Sequence, residues 1–424
     1  MHYRIAAVYS IRFRPLPGQI VHSRMITTLT PRREFWLLIT LAGIQFTHIL
    51  DFMIMMPLGP QFTHIFRITD AQFGWLVSSY TLSGGVAGVL ASVYIERFDR
   101  KKLLLSLYGL FAVSTLACGL SGSYEGLLAA RVAAGVFGGV LAALSQTIVG
   151  DVIPFERRGR AMGIVMTSFS VSTVAGVPLG LFMAAHWSWQ APFIGIAILC
   201  TLFIVFAQFS MPPLTAHLHL QAPTSALRRI AETLADKNHQ RAFVFSGLMM
   251  FTGFTVIPYI TIYMQVNVGI LPQQIPYIYL CGGVATLITA RWFGRLTDSK
   301  GKFQTFRILA LAVLVPLLAI TLIQPGPLVV ALIVSTLFFI CMSGRIIPGM
   351  AMLTSAAQPA LRGTFMTINS SVQSAAMGLA ALTGGLVITR DADGLVEHYW
   401  MAALAGGIAS LLSIWVARKL SMRQ

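Results

Sequence analysis

Residues 36–57 read WLLITLAGIQFTHILDFMIMMP, an apolar run that is interrupted by one charged side chain, Asp51. About 20 apolar residues in a helix are enough to cross the hydrocarbon core of a bilayer, which is roughly 30 Å thick. The run therefore predicts a membrane-spanning helix. Asp51 marks a place inside it where the chain tolerates a costly charge.

Runs of similar length recur along the whole chain. They are continuous and not alternating, which excludes a transmembrane β-barrel. Apolar residues make up 56% of the sequence and charged residues 10%, too few charges to cover a water-facing surface. The predicted fold class is an all-α integral membrane protein with twelve transmembrane helices in two six-helix halves. We number these predicted spans 1–12, at 36–57, 73–94, 103–121, 126–149, 161–184, 191–210, 242–265, 275–294, 305–323, 328–350, 364–388 and 397–417.

The net charge of +16 follows the topology of the spans. Basic residues cluster in the arm before span 1, after spans 2, 4, 6, 8 and 10, and at the C-terminus. The other connections hold little beyond Arg67 and Arg390. This positive-inside pattern predicts a multi-pass protein of the cell (inner) membrane with both termini in the cytoplasm. The basic charge is therefore not a nucleic-acid-binding surface.

The longest polar connection, residues 211–241, separates six predicted spans from six. We therefore predict a basic cytoplasmic arm at 1–34, an N-terminal bundle at 35–210, a cytoplasmic linker at 211–241 and a C-terminal bundle at 242–424. Met25 is an alternative start to the chain, and we assign the arm no function. The four cysteines all fall inside spans, in a spacing that matches no metal site or disulfide framework.

The two halves share a loop pattern at equivalent places. After span 2 the chain reads SVYIERFDRK (92–101), and after span 8 it reads GRLTDSKGKF (294–303). Each loop has an acid, Glu96 or Asp298, four residues after a small residue, with basic residues just beyond. Two six-helix halves related by a repeat are typical of secondary transporters.

Residues 294–303 resemble the loop signature G-x-L-x-D-R-x-G-R-K of the major facilitator superfamily. They match it at Gly294, Leu296, Asp298, Gly301 and Lys302, whereas the first copy departs from it at Ser92 and Asp99. Three more segments resemble motifs of the same family. They are Arg131-x-x-x-Gly135 in span 4, the efflux-type motif Gly176, Pro178 and Gly180 in span 5, and the acidic motif Leu50-Asp51…Pro57 of proton-coupled drug antiporters.

The resemblance covers about 36–417 and implies the major facilitator fold. It also implies a central cavity between spans 1, 2, 4, 5 and spans 7, 8, 10, 11, and a role for Arg131 in proton coupling. Its subfamily character is that of twelve-helix drug- and sugar-efflux permeases.

Asp51 is the acidic residue that lies well inside a predicted span. A charged carboxylate there costs roughly 2.5–3.5 kcal/mol on insertion scales, so it needs a partner, water or a proton. We predict that Asp51 carries the transported proton, with Arg131 and His48, which shares its helical face, as partners. The competing interpretation is a fixed ion pair with an arginine, and a structural histidine in the case of His48.

Polar residues deep in other spans are the predicted substrate cavity. Arg345 in span 10 stays charged in any protein environment, and no acid lies within the spans of its own half. Arg345 is therefore a candidate either for binding an anionic group of the solute or for locking a helix end. The remaining predicted cavity residues are Gln45, Tyr80, Gln146, Asn369 and Gln373.

Charged residues at the basic helix ends are candidates for gating ion pairs that form in one state and break in the other. The alternative for each is a solvated loop charge. The predicted set is Glu96, Arg97, Arg100, Asp151, Asp298 and Lys302. The glycines and proline at 176, 178 and 180 allow close packing and a kink in span 5, which would help to seal one face of the cavity.

The predicted function is proton-coupled export of a small organic solute (a drug, sugar or metabolite) by alternating access. Its partners would be protons, the solute and the bilayer, and a monomer suffices. The alternatives are proton-coupled uptake and a non-transporting membrane sensor. We predict no enzyme, cofactor or metal, because the sequence has no H-E-x-x-H, G-x-S-x-G or P-loop motif.

Overall fold

A computed structural model describes residues 30–95, 98–153, 155–215, 226–358 and 361–422, which are almost entirely helical. The first half of the chain forms helices α1 (Pro31–Ile54), α2 (Gly59–Ile65), α3 (Asp70–Tyr94), α4 (Arg100–Leu120), α5 (Tyr124–Val152), α6 (Phe155–Val171), α7 (Val177–His186) and α8 (Ala191–Ser210). A π-helical turn, Ser172–Gly176, joins α6 to α7.

The second half continues with helices and one short hairpin. Its elements are α9 (Ala226–Ala235), α10 (Lys237–Phe254), α11 (Ile260–Val266), α12 (Ile275–Lys300), α13 (Lys302–Ala312), α14 (Leu314–Thr321), α15 (Leu328–Ala356), α16 (Arg362–Val387), strands β1 (Thr389–Arg390) and β2 (Val396–Glu397), and α17 (Tyr399–Ala417).

Ten segments of the described chain are long and apolar enough to cross a membrane. Three of them contain a break, because α6–α7, α10–α11 and α13–α14 each follow one another within one span. Helices α12 and α16 have 26 residues each but are less apolar. With these two, the described spans number twelve, which confirms the predicted fold class.

Two long contacts join the halves. Helix α3 packs along α16, and on another side α7 and the π-helical turn pack against α12. Small residues permit this packing: a Cβ added to Gly85 would lie 3.1 Å from the carbonyl oxygen of Ser371. Lipid supplies no hydrophobic force between helices, so such close backbone contact is what holds them together. The domain boundaries at 35–210 and 242–424 stay predictions.

The two ends of the bundle differ in charge. We call the end where α3 begins the Asp70 end, and the end where α4 and α13 begin the basic end. The two loop copies lie at the basic end and turn differently. Gly301 takes the left-handed conformation (φ 88°), while Asp99 caps α4 by accepting a hydrogen bond from the backbone N–H of Lys101 at 2.9 Å. A capping aspartate thus stands where the family signature has a glycine.

The hairpin β1–β2 lies at the Asp70 end and is held from two sides. Within it, the side chain of Asp391 accepts hydrogen bonds from the backbone N–H groups of Asp393 and Leu395. Outside it, the side chain of Asn267 bonds both backbone groups of Val396, at 2.9 and 3.0 Å. The hairpin is therefore a fixed platform on the second half.

Candidate functional site

Asp51 and Arg131 form an ion pair in the interior of the first half. Nη1 of Arg131 lies 2.9 Å from Oδ2 of Asp51, and both side chains have no solvent exposure. Oδ1 of Asp51 and Nε and Nη2 of Arg131 have no hydrogen-bond partner among the described residues. The pair is thus buried but incompletely bonded, and in a low-dielectric interior unmade hydrogen bonds are costly.

Aromatic side chains enclose this pair on the side of α3. Cζ of Arg131 lies 4.3 Å from the ring centroid of Tyr80, which is a cation–π contact. Phe52 stacks on Tyr80 at 5.6 Å, and the Tyr80 hydroxyl donates to the carbonyl oxygen of His48 at 3.4 Å. In the described part of the chain, His48 makes no hydrogen bond to Asp51, and its Nδ1 has no partner. His48 is therefore linked to the pair through Tyr80.

A cavity of about 130 Å³ lies beyond this aromatic layer, between α1, α3, α5 and α16. Asp51 and Arg131 do not line it, so Tyr80 and His48 form the wall between the ion pair and the cavity. The structure places Tyr80, Gln146 and His48 of the predicted residues in the lining. The complete lining is His48, Phe52, Tyr80, Thr81, Gly84, Gly88, Gly139, Ala142, Ala143, Gln146, Thr367, Ser370, Ser371, Ser374 and Met377.

The hydroxyl side chains that α16 contributes to the cavity were not predicted from the sequence. Thr367, Ser370, Ser371 and Ser374 are spaced i, i+3, i+4 and i+7, so they lie on one helical face and carry a row of hydroxyl groups. That spacing is the signal that identifies them. We call these four residues the hydroxyl row.

The other predicted cavity residues lie elsewhere in the bundle. Gln45 and Asn369 are buried, and each has a side-chain oxygen without a partner among the described residues. Nε2 of Gln373 lies 3.6 Å from the sulfur of Met350. Arg345 is 1% exposed and donates from Nη2 to the carbonyl oxygen of Met249 at 2.6 Å. None of these four lines the cavity.

The efflux-type motif of span 5 packs directly on α1. A Cβ added to Gly176 would lie 2.9 Å from Leu50, and one added to Gly180 would lie 2.6 Å from Ile54. These two α1 residues stand on either side of Asp51 in the sequence. The π-helical turn before Val177 also presents Val174 to α12, 3.1 Å from where a Cβ of Gly283 would be. Span 5 thus connects the helix of the ion pair with the second half.

The predicted gating residues at the basic end are partly described. Glu96 and Arg97 lie outside the described residues, as does the side chain of Asp151. Arg100 is buried and its Nη1 donates to the carbonyl oxygen of Ile95 at 2.6 Å. Lys302 donates to the hydroxyl of Ser355 at 2.6 Å. Asp298 is exposed, with no ion pair to another described residue.

The Asp70 end holds an ion pair between the halves, which was not predicted from the sequence. Nε and Nη2 of Arg390 donate to Oδ2 and Oδ1 of Asp70 at 2.8 and 2.9 Å. Asp70 is 5% exposed and Arg390 34%. The two hydrogen bonds from Arg390 to Asp70 raise the pKa of the guanidinium, which therefore stays charged. Arg390 belongs to the fixed hairpin, so the pair ties the start of α3 to the second half.

No group of three or more His, Cys, Asp or Glu side chains that could hold a metal ion occurs among the residues that the structure describes. The cavity is instead lined by hydroxyl, amide, imidazole and aromatic groups, which suit an organic solute.

Comparison with known proteins identifies the family. The Major Facilitator Superfamily profile matches residues 41–381. The uncharacterized MFS-type transporter YbcL of Bacillus subtilis is 24% identical over 385 residues, covering 90% of this chain and 95% of that protein. Among solved structures, a D-xylose–proton symporter superposes with a TM-score of 0.74 at 18% identity, over 90% of this chain and 96% of its own. A bacterial homologue of the human lysosomal transporter Spinster superposes with a TM-score of 0.71 at 14% identity. The match covers 92% of this chain and 98% of that protein.

Proposed function

Because the chain belongs to the major facilitator superfamily, a family of multi-pass membrane transporters, we propose that it exports a small organic solute in exchange for protons by alternating access. The observation that carries the proposal is the buried Asp51–Arg131 pair, one aromatic layer away from the cavity. Protonation of a carboxylate at this place would change the contacts of the side chains that line the cavity and that a solute would touch.

The coupling would run through Tyr80. When a proton neutralises Asp51, Arg131 loses the charge that holds it at 2.9 Å. Its guanidinium then interacts more strongly with the Tyr80 ring, whose position also depends on Phe52 and His48. A solute in the cavity contacts the same three side chains. Solute and proton would therefore act on the same aromatic side chains. In the proposed exchange each lowers the affinity for the other, and linkage makes the two effects equal.

The orientation follows from the charges of the two ends. We propose that the basic end and both chain termini face the cytoplasm and that the Asp70 end faces the outside of the cell (inner) membrane. One chain holds the ion pair, the cavity and the long contacts between the halves, so a monomer suffices.

The efflux-type motif of span 5 (Gly176, Pro178 and Gly180) favours export over uptake. Gly176 and Gly180 pack against α1 at Leu50 and Ile54, which stand before and after Asp51 in the sequence. A shift of α1 on protonation of Asp51 would therefore move span 5 and change its contact with α12. The predicted gating residues would form ion pairs at the basic end while the Asp70 end is open. They are Glu96, Arg97, Arg100, Asp151, Asp298 and Lys302.

The test is proton flux into proteoliposomes that contain a pH-sensitive dye. A pH gradient is imposed, and a panel of organic compounds is added to wild type and Asp51→Asn. We expect at least one compound to dissipate the gradient in wild type. The rate should be at least tenfold slower in Asp51→Asn, because the amide cannot bind and release the transported proton.

The matched control is Glu125→Gln, which removes an exposed carboxylate at the start of α5 and should leave the flux unchanged. Equal rates in wild type and Asp51→Asn for a transported compound would exclude Asp51 as the proton carrier. The direction in which labelled solute moves relative to protons then separates export from uptake.

We expect the Asp70–Arg390 ion pair to stabilise the closed form of the Asp70 end. Reversing one charge, as Asp70→Arg or Arg390→Asp, should favour opening of this end, while the double reversal restores closure. If the pair contributes about 1–2 kcal/mol, a cysteine at position 374 will react about 5–30 times faster in either single variant with a membrane-impermeant maleimide added outside. A double variant that reacts as fast as the singles would show that the pair does not hold the end closed.

A further inference from the structure

Arg345 is a buried cation that the proposed mechanism does not use. It lies in α15 with 1% exposure, and one of its nitrogens, Nη2, donates to the carbonyl oxygen of Met249. Within the described residues, Nε and Nη1 have no hydrogen-bond partner. A guanidinium that is deprived of water and of acceptors is costly, and it is retained inside a span for a functional reason more often than for packing.

Among the described residues, Arg345 has no ion pair with a carboxylate. Asp51 is the acid inside a predicted span, and it is bound to Arg131. From span 7 onward the sequence has four acids, all at helix ends or in the hairpin: Asp298, Asp391, Asp393 and Glu397. Lipid phosphates do not reach a side chain that is buried within the bundle. Within the described part of the chain, Arg345 is therefore a buried positive charge without a paired carboxylate.

The depth and the local backbone of Arg345 fit a solute site. At about 1.5 Å per residue, Arg345 lies roughly 26 Å from the start of α15, and Ser371 of the hydroxyl row lies roughly 24 Å from the end of α16. Both distances are measured from the Asp70 end, so Arg345 and Ser371 lie at similar positions along their helices, well inside the spans.

Pro348 inside α15 deprives the carbonyl oxygen of Gly344 of its helical donor, which weakens the helix next to Arg345.

We infer that the solute carries an anionic group, such as a carboxylate or a phosphate, and that Arg345 binds it. The inference rests on the proposed transport function and names the class of its substrate. An anion next to Arg345 supplies the acceptors that Nε and Nη1 lack and balances the positive charge of the guanidinium.

The first arm of the test measures the melting temperature of purified protein without added solute. If the charge of Arg345 is balanced only by a bound anion, Arg345→Met removes an unpaired buried charge from the ligand-free protein. The substitution should then raise Tm by about 2–4 °C. If Arg345 instead locks a helix end, the substitution lowers Tm. Arg131→Met is the matched control, because it removes a paired arginine and should lower Tm. A fall in Tm for Arg345→Met overturns the inference.

The second arm uses proton flux with matched pairs of compounds: gluconate and gluconamide, nicotinate and nicotinamide, and glutarate and glutaramide. Protein-free vesicles correct for passive permeation. We expect at least one carboxylate to dissipate the gradient at least tenfold faster than its amide, and Arg345→Met to abolish that difference. A panel in which no carboxylate exceeds its amide overturns the inference. Proton-coupled export is judged separately by Asp51→Asn, so the two failures are distinguishable.

Discussion

Replacing Arg131 by methionine is expected to lower the free energy of unfolding by about 3–5 kcal/mol, because Asp51 then stays buried without its partner. The carboxylate oxygen loses a charged donor 2.9 Å away, and both side chains are inaccessible to water. The Tyr80 ring also loses the cation that lies over it. The measurement is unfolding of the purified protein in mixed detergent micelles, followed by circular dichroism.

The double variant Asp51→Leu, Arg131→Met isolates the pair from the packing around it. Replacing both charges of a buried pair by apolar groups is often neutral or stabilising, so most of the lost stability should return. A matched control is Arg157→Met, which breaks the half-exposed pair of Arg157 with Glu34 at 3.0 Å. Such a pair contributes less than about 1 kcal/mol. If Arg131→Met is no worse than Arg157→Met, Asp51 and Arg131 are not paired in the folded protein.

The fold was predictable because a bilayer imposes its requirements on every span separately. Length, low charge and the alternation of basic loops are each readable without knowing any contact. The breaks within spans were harder to predict from the sequence. The π-helical turn Ser172–Gly176 sits where Gly176 and Pro178 interrupt span 5, but the sequence alone does not distinguish a kink from an added residue in the helical turn.

The ion pair was predictable from its cost, because Asp51 needs a positive partner and Arg131 needs a negative one. The hydroxyl row was missed because serine and threonine are common in membrane helices, where they usually bond to their own helix. Its four residues become a wall only through the packing of α16 against α3. The Asp70–Arg390 pair joins residues that are 320 positions apart, and nothing local to either predicts the other.

Helix packing at the cavity leads to the other large expected effect, that of Gly139→Ala. A Cβ at position 139 would overlap the carbonyl oxygen of Gly84 and lie 2.6 Å from its Cα. The obstacle is backbone and not a flexible side chain, so α3 and α5 must separate to admit the methyl group. Overpacking of this kind costs about 1–3 kcal/mol or more, and here the upper end applies because the helices cross at this point.

Separation of α3 and α5 would also disturb the site itself. Gly84 and Gly139 both line the cavity, and the hydroxyl of Ser83 on α3 donates to the carbonyl oxygen of Val132 on α5 at 3.0 Å. We therefore expect Gly139→Ala to lose its monodisperse folded form near 37 °C and its transport with it. The control is Gly150→Ala in the same helix, where no described neighbour lies within 4 Å of the added Cβ. Alanine is the better helix former by about 1 kcal/mol, so this variant should be as stable as wild type or more so. If the two variants melt at the same temperature, α3 and α5 do not cross at Gly84 and Gly139, and these two helices cannot form that wall of the cavity.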